Sequence, residues 1–160
     1  MTAVTAPVRT SVEVGVSAER AFDAFVNHMD DWWPRAHVLH DSPYVTSHIE
    51  AGVGGRWLTV HADGAETTVG RVEVWEPPRR LAVSWMISLE WTCEPDESKA
   101  SLVTATFTPT PEGNTVVEIV HDRFEAHGEG YESMARGVAG AEGWPMILRQ
   151  FAQSLGDDHG

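Results

Sequence analysis

The chain has very little cysteine and lysine, and both shortages restrict the classes of function that it can have. Cys93 is the only cysteine in 160 residues, so no intramolecular disulfide can form and a reducing compartment is compatible with the sequence. Lys99 is the only lysine, and 11 basic residues stand against 24 acidic ones, giving a formal net charge of −13. Because no basic run exists to neutralise phosphates, neither nucleic acid nor an anionic membrane is expected as a partner.

Long apolar runs and export signals are also missing. No segment approaches the roughly 20 apolar residues that a membrane span needs. Residues Met1–Val8 lack the basic start and apolar run of a secretory signal. We therefore expect a soluble, cytoplasmic protein without membrane insertion. The length suits one domain over residues 1–160, with 156–160 as a frayed tail.

Motifs for phosphates, cofactors and metals are missing or weak. The glycines at Gly52–Gly55 have neither GxGxxG nor Walker spacing, and no Gly-x-Ser-x-Gly elbow is present. No cofactor is therefore expected. Imidazoles and a carboxylate that zinc or iron accepts do occur, at His37, His40, Asp41, His48 and His61. Their spacing is not diagnostic of a site, so no metal is expected either.

The N-terminal part predicts a strand followed by helices. Apolar and polar residues alternate from Val8 to Val16, which is typical of a strand with one buried face. Ser17 is a favourable N-cap. After it, an amphipathic helix is indicated by the spacing of Phe22, Phe25, Val26 and Met29. Pro34 then ends a second short helical turn.

The rest of the chain predicts a sheet and a terminal helix. From Tyr44 to His121 the pattern is mostly strand-like, and five interruptions delimit about six strands. Residues Phe124–Gly140 contain four glycines and little apolar regularity, which indicates a mobile flap. A helical stripe that Pro145 can start follows, formed by Trp144, Ile147, Leu148, Phe151 and Leu155. This order predicts an α+β helix-grip fold: a curved antiparallel sheet of about seven strands around a long C-terminal helix, with two short helices after strand one.

Several motifs together resemble the SRPBCC superfamily, also described as START-like or Bet v 1-like. Within it they are most similar to the branch homologous to the activator of heat-shock-protein-90 ATPase. The resemblance covers nearly the whole chain. Its motifs are Val12–Trp33, Gly54-Gly55-Arg56-Trp57, Gly70–Leu81 followed by Trp85, Phe107 with Gly113-Asn114-Thr115 and Val117, His121–Gly130, and Gly143-Trp144.

The resemblance implies an apolar cavity between the sheet and the last helix. Relatives with this architecture bind lipids, sterols, hormones or polyketides, and some cyclise or hydrolyse them. Three functions therefore stay open. The first is binding of a hydrophobic or aromatic small molecule. The second is a polyketide cyclase or aromatase activity, and the third is an interaction role like that of the chaperone-ATPase activators. A homodimer is also left open.

Seven tryptophans occur in the chain, and those on strand and helix faces suggest the cavity wall. The predicted ligand-binding residues are Trp57, Trp85, Trp91, Phe107, Ile119, His121, Trp144 and Leu148, with Phe124–Gly140 as a lid. The alternative is that these side chains form a solid core. His121 is the one candidate for acid or base chemistry, the alternative being a buried neutral imidazole satisfied by hydrogen bonds.

Overall fold

The computed structural model describes residues 7–29, 32–33, 44–89, 96–140 and 143–156. Seven strands form one antiparallel sheet in the order β1-β7-β6-β5-β4-β3-β2. The strands are β1 (Val8–Val14), β2 (Tyr44–Ile49), β3 (Arg56–His61), β4 (Glu66–Glu76), β5 (Arg80–Trp85), β6 (Ser101–Pro109) and β7 (Thr115–Asp122). The α-helices are α1 (Ala18–Asn27), α2 (Tyr131–Ala139) and α3 (Trp144–Gly156). The curled sheet and the C-terminal helix confirm the predicted α+β helix-grip fold.

The first strand and helix form for the reasons that their sequence indicates. Side chains of β1 alternate between half-buried and exposed, ending at the buried Val14. Ser17 is the N-cap of α1, where its hydroxyl accepts a hydrogen bond from the backbone N–H of Arg20 at 3.2 Å. The predicted apolar face of the helix is buried. The two edge strands of the sheet are β1 and β2, and α1 lies between them in the chain.

Strands β6 and β7 present one face to the interior. On β6 the buried positions alternate from Ser101 to Phe107, and on β7 they alternate from Thr115 to His121. The two strands pair in register, with Val103 opposite His121 and Ala105 opposite Ile119. Cross-strand neighbours project on the same side of a sheet. These two strands therefore supply an apolar surface interrupted by three polar residues, Ser101, Thr115 and His121.

Helix α3 covers this surface. Its predicted stripe is almost completely buried, and Pro145 occupies the second position, where its missing N–H costs no helical hydrogen bond. The helix packs against β1 and contacts α1 and α2. The ring of Phe151 contacts Phe25 and Trp32 at centroid distances of 5.6 and 5.2 Å. Helix, sheet and α1 thus share one core.

The lack of regular structure expected for the predicted flap, Phe124–Gly140, is wrong, whereas its role as a lid stays a prediction. A 3-10 turn spans Phe124–His127, and α2 follows at Tyr131–Ala139. Helix α2 buries Met134, Ala135 and Val138, a short apolar stripe that the glycines obscure. Residues 30, 31 and 34–43, where the second short helix was expected, lie outside the described residues.

Candidate functional site

Four tryptophan rings meet between the sheet and the start of α3. Trp57 on β3 lies 5.9 Å from Trp85 on β5, and Trp85 lies 5.7 Å from Trp144, measured between ring centroids. Trp33 contacts Trp57 at 5.0 Å and Trp144 at 6.3 Å. All four are at most 6% exposed. Mostly edge-to-face contacts join these rings, the geometry that aromatic quadrupoles favour. We call Trp33, Trp57, Trp85 and Trp144 the indole cluster.

Four of the eight predicted site residues, Trp57, Trp85, His121 and Trp144, lie in or beside this cluster. Ile119 and Leu148 are completely or almost completely buried in the same core. Phe107 is also buried, but its ring contacts Phe22 and Phe25 of α1 at 5.2 and 5.6 Å. It therefore belongs to the neighbouring packing layer under α1. Trp91 lies outside the described residues.

Two indole nitrogens in the cluster lack an acceptor. Trp57 is 2% and Trp85 is 4% exposed, yet within the described ranges neither Nε1 has a hydrogen-bond partner. An indole N–H can only donate, and burying it unpaired costs about 1–3 kcal/mol. Two other buried indoles do have acceptors, since Trp32 donates to the carbonyl of Ala24 at 3.1 Å and Trp144 donates to His121 at 3.0 Å. The two unpaired donors, Trp57 and Trp85, are neighbours within the indole cluster.

His121 lies at one side of the cluster, in a chain of hydrogen bonds. Trp144 Nε1 donates to His121 Nδ1 at 3.0 Å, and His121 Nε2 lies 2.7 Å from Ser101 Oγ. The same Oγ lies 2.7 Å from Nε2 of the half-buried His127. Because Trp144 can only donate, His121 Nδ1 accepts and its Nε2 carries the proton. The chain thus holds His121 in one tautomer.

Burial keeps His121 neutral. Its side chain is fully buried, with Phe124 stacked at 4.5 Å and Trp85 at 5.1 Å between ring centroids. Desolvation, followed by the nearby charge of His127, lowers the pKa of His121 to about 3. An imidazole that is neutral at pH 7 can donate one hydrogen bond and accept another, which is its arrangement here.

Sequence reasoning missed four contributors to this region. Trp33 is not among the predicted ligand-binding residues, and Phe124 and His127 belong to the predicted lid. Ser101 is the first inward position of β6, in the same alternating series as Phe107. That alternation was the one signal able to identify Ser101. Nothing in the local pattern identifies His127, which depends on the 3-10 turn after β7.

Metal ligands do not cluster in the described part of the chain. No group of three His, Cys, Asp or Glu side chains suitable for a metal ion occurs there. His61 is buried, with Nε2 2.8 Å from the hydroxyl of Thr67. His37, His40 and Asp41 lie outside the described residues. Over the same ranges, no helix is long and apolar enough to cross a membrane.

Comparisons with known proteins identify a family and a fold. The model of the family described as "Activator of Hsp90 ATPase homolog 1-like protein" matches residues 15–156. An anthrahydroquino-γ-pyrone synthase, solved with a ligand, is 35% identical, with a TM-score of 0.66, over 96% of this chain and 99% of that one. No curated protein sequence matches significantly.

Two further solved structures have the same fold. The self-sacrificing resistance protein CalC from Micromonospora echinospora is 25% identical, with a TM-score of 0.63, over 96% of both chains. An AHSA1 protein from Silicibacter pomeroyi is 20% identical, with a TM-score of 0.57, over 96% of this chain and all of that one. The second likeness concerns the fold alone. The sequence-based assignment to the SRPBCC superfamily is therefore confirmed.

Proposed function

This chain belongs to the activator of Hsp90 ATPase homolog 1-like family, and we propose that it binds a planar aromatic small molecule between the sheet and α3. The family and its structural neighbours support a ligand-binding or cyclase-like role. The proposed ligand contacts are Trp33 and the predicted residues of this part of the core. These predicted residues are Trp57, Trp85, Trp144, His121, Ile119 and Leu148. The ligand carries oxygen acceptors on its rings, as quinones, pyrones and phenols do.

The unpaired N–H groups of Trp57 and Trp85 carry this proposal. Their ring centroids are 5.9 Å apart, and we expect one ligand with oxygens on a rigid ring system to reach both donors. Such bonds would recover the cost of burying the donors. The remaining surface of the cluster is aromatic and apolar, which suits stacking against a ligand ring. The pyrone named for the 35% identical synthase is an oxygenated ring of this kind.

Xanthone and xanthene test the proposal, because the two three-ring molecules differ in one carbonyl oxygen. Binding is measured by equilibrium dialysis, which does not depend on tryptophan fluorescence. We expect xanthone to bind more tightly. Trp85→Phe, and separately Trp57→Phe, should weaken xanthone binding by roughly 3- to 10-fold, the value of one neutral hydrogen bond, and leave xanthene binding unchanged.

Trp75→Phe is the matched control. Trp75 is a half-buried tryptophan that packs on Phe22 at 5.2 Å, away from the cluster. This variant should bind both molecules as the wild type does. If neither molecule binds to wild-type protein, the proposed function is wrong. If both bind equally and the two cluster variants change nothing, the role of the indole donors is wrong.

A cyclase-like reaction on the same ligand is the second candidate. The observation that favours it is the Ser101 hydroxyl held between two imidazoles at the edge of the cluster. The family description also names an activator of the Hsp90 ATPase. That activity finds no specific support in the residues around the indole cluster.

A further inference from the structure

Ser101 Oγ is the best-placed reactive atom of the interior. It lies on the buried face of β6, directly opposite Trp85 of β5 in the sheet register. Side chains opposite each other on neighbouring strands are about 5 Å apart at Cβ. Ser101 and Trp85 therefore project from the same face of the sheet as neighbours. It is 1% exposed, so bulk water does not compete for its hydroxyl.

The direction of each hydrogen bond at Ser101 follows from its neighbours. His121 holds its proton on Nε2, because its Nδ1 accepts from Trp144, and so it donates to Ser101 Oγ. In the described part of the chain, the other group hydrogen-bonded to this oxygen is His127 Nε2. A hydroxyl has one proton and two lone pairs. Ser101 therefore donates to His127 and keeps one lone pair available.

This arrangement matches what an activated hydroxyl needs. A base, His127, lies 2.7 Å from the oxygen and can take its proton, and a fixed donor, His121, stabilises negative charge on the oxygen. Each imidazole also has a different environment. His121 is buried under aromatic rings, whereas His127 is half-buried in the 3-10 turn.

We propose that Ser101 and His127 form a catalytic base that removes a proton from the ligand bound at the indole cluster. The inference rests on the proposed binding function and adds a reaction to it. An acidic O–H or C–H of the ligand gives its proton to Ser101 Oγ, while the Ser101 hydroxyl proton passes to His127 Nε2. The electron pair of the broken bond stays on the ligand, and His127 becomes an imidazolium that later returns the proton.

His121 and Trp144 are positioning residues in this scheme. Trp144 fixes the tautomer of His121, and the N–H of His121 orients the Ser101 hydroxyl toward His127. The substrate class is an aromatic compound with a phenolic O–H or an enolisable C–H. The reaction class is proton transfer, which starts ring closures and isomerisations of such compounds.

A proton-transfer probe tests the base without knowledge of the natural substrate. In 5-nitrobenzisoxazole, removal of the ring C–H proton breaks the N–O bond and releases a coloured phenolate. We expect the wild-type protein to accelerate this elimination above the rate of free imidazole. Ser101→Ala and His127→Gln should each lower kcat/KM by about 100-fold or more, the usual contribution of a positioned base.

His61→Gln is the matched control, because His61 is another buried imidazole bonded to a hydroxyl, that of Thr67. This variant should keep the wild-type rate. A wild-type rate no greater than that of imidazole, or a Ser101→Ala protein with the full rate, would overturn the proposal. Xanthone binding in the same samples separates the two proposals, since binding without elimination refutes the base and leaves the binding function standing.

Proton positions supply a test that needs no ligand. Nitrogen-15 NMR of the histidines should place the His121 proton on Nε2 and the neutral His127 proton on Nδ1. In Ser101→Ala the nitrogen chemical shifts of His127 should change, while those of His61 should not. A proton on His127 Nε2 in its neutral form, or an unchanged His127 in the variant, would refute the relay.

Discussion

Acid should destabilise this protein through His121, to an extent that can be calculated. The native state holds the pKa of this imidazole at about 3, against an ordinary value of 6.5. Between these values the unfolded chain binds a proton that the folded chain excludes. A drop in pH therefore favours unfolding. The stability that a neutral His121 provides is complete above about pH 6.5 and is lost as the pH falls toward 3.

The size of this effect follows from the width of that window. One proton bound only by the unfolded state changes the free energy of unfolding by about 1.4 kcal/mol per pH unit. Between pH 7 and pH 5, the expected loss is about 2 kcal/mol, because the unfolded histidine is only partly protonated at the upper end. Domains are stable by about 5–15 kcal/mol in total, so this loss is measurable.

Urea denaturation followed by circular dichroism measures the effect, with His121→Gln as the comparison. Glutamine does not titrate, and its amide can accept from Trp144 and donate to Ser101. The other histidines and the acidic residues are present in both proteins, so their contributions cancel. We expect the stability difference between wild type and variant to shrink by about 2 kcal/mol from pH 7 to pH 5. Parallel pH profiles for the two proteins would refute the reasoning.

Two further predictions concern packing around the site. Ile119→Ala should lower the free energy of unfolding by about 2–5 kcal/mol because Ile119 is completely buried, whereas Val120→Ala on the other, half-buried face of β7 should cost clearly less. Equal losses of unfolding free energy in urea denaturation would contradict the assignment of Ile119 to the buried face of β7 and of Val120 to its other face. Gly143→Ala should cost about 1–3 kcal/mol, since the added Cβ meets the carbonyl of Val138. An unchanged melting temperature would show that the backbone before α3 adjusts freely.

The fold was predictable because its buried faces are regular. The alternation in β1 and β7 and the helical stripe of α3 each hold over seven or more residues. The sequence does not predict the helix after β7, because four glycines interrupt the apolar pattern of that segment. Gly128 and Gly130 have φ of +95° and +91° and lie just before α2, and Gly140 ends it. The positive φ of Gly128 and Gly130 uses the backbone freedom of glycine before the helix, whereas Gly140 ends the helix in an extended conformation.

The site was only partly predictable, since its contacts join distant parts of the chain. His121 and Trp144 were both assigned to the interior because each belongs to a regular buried face. Ser101 lies 20 residues before His121 and 26 before His127. Its hydroxyl reaches both imidazoles only through the pairing of β6 with β7 and the 3-10 turn that follows. Sequence periodicity gives the face of a residue, but it does not give its partner across a sheet.

The interior tryptophans differ in whether the indole N–H has an acceptor. This difference connects the stability of the core with the proposed function. Trp32 and Trp144 donate to Ala24 and His121, so these two indoles contribute hydrogen bonds as well as apolar surface. Trp57 and Trp85 bury donors that have no acceptor among the described residues, although phenylalanine would fill an apolar core without that cost. Both unsatisfied donors belong to the indole cluster, and Ser101 lies across the sheet from one of them. In a solid core such donors only cost stability, whereas the proposed site would use them to bind the oxygens of an aromatic ligand.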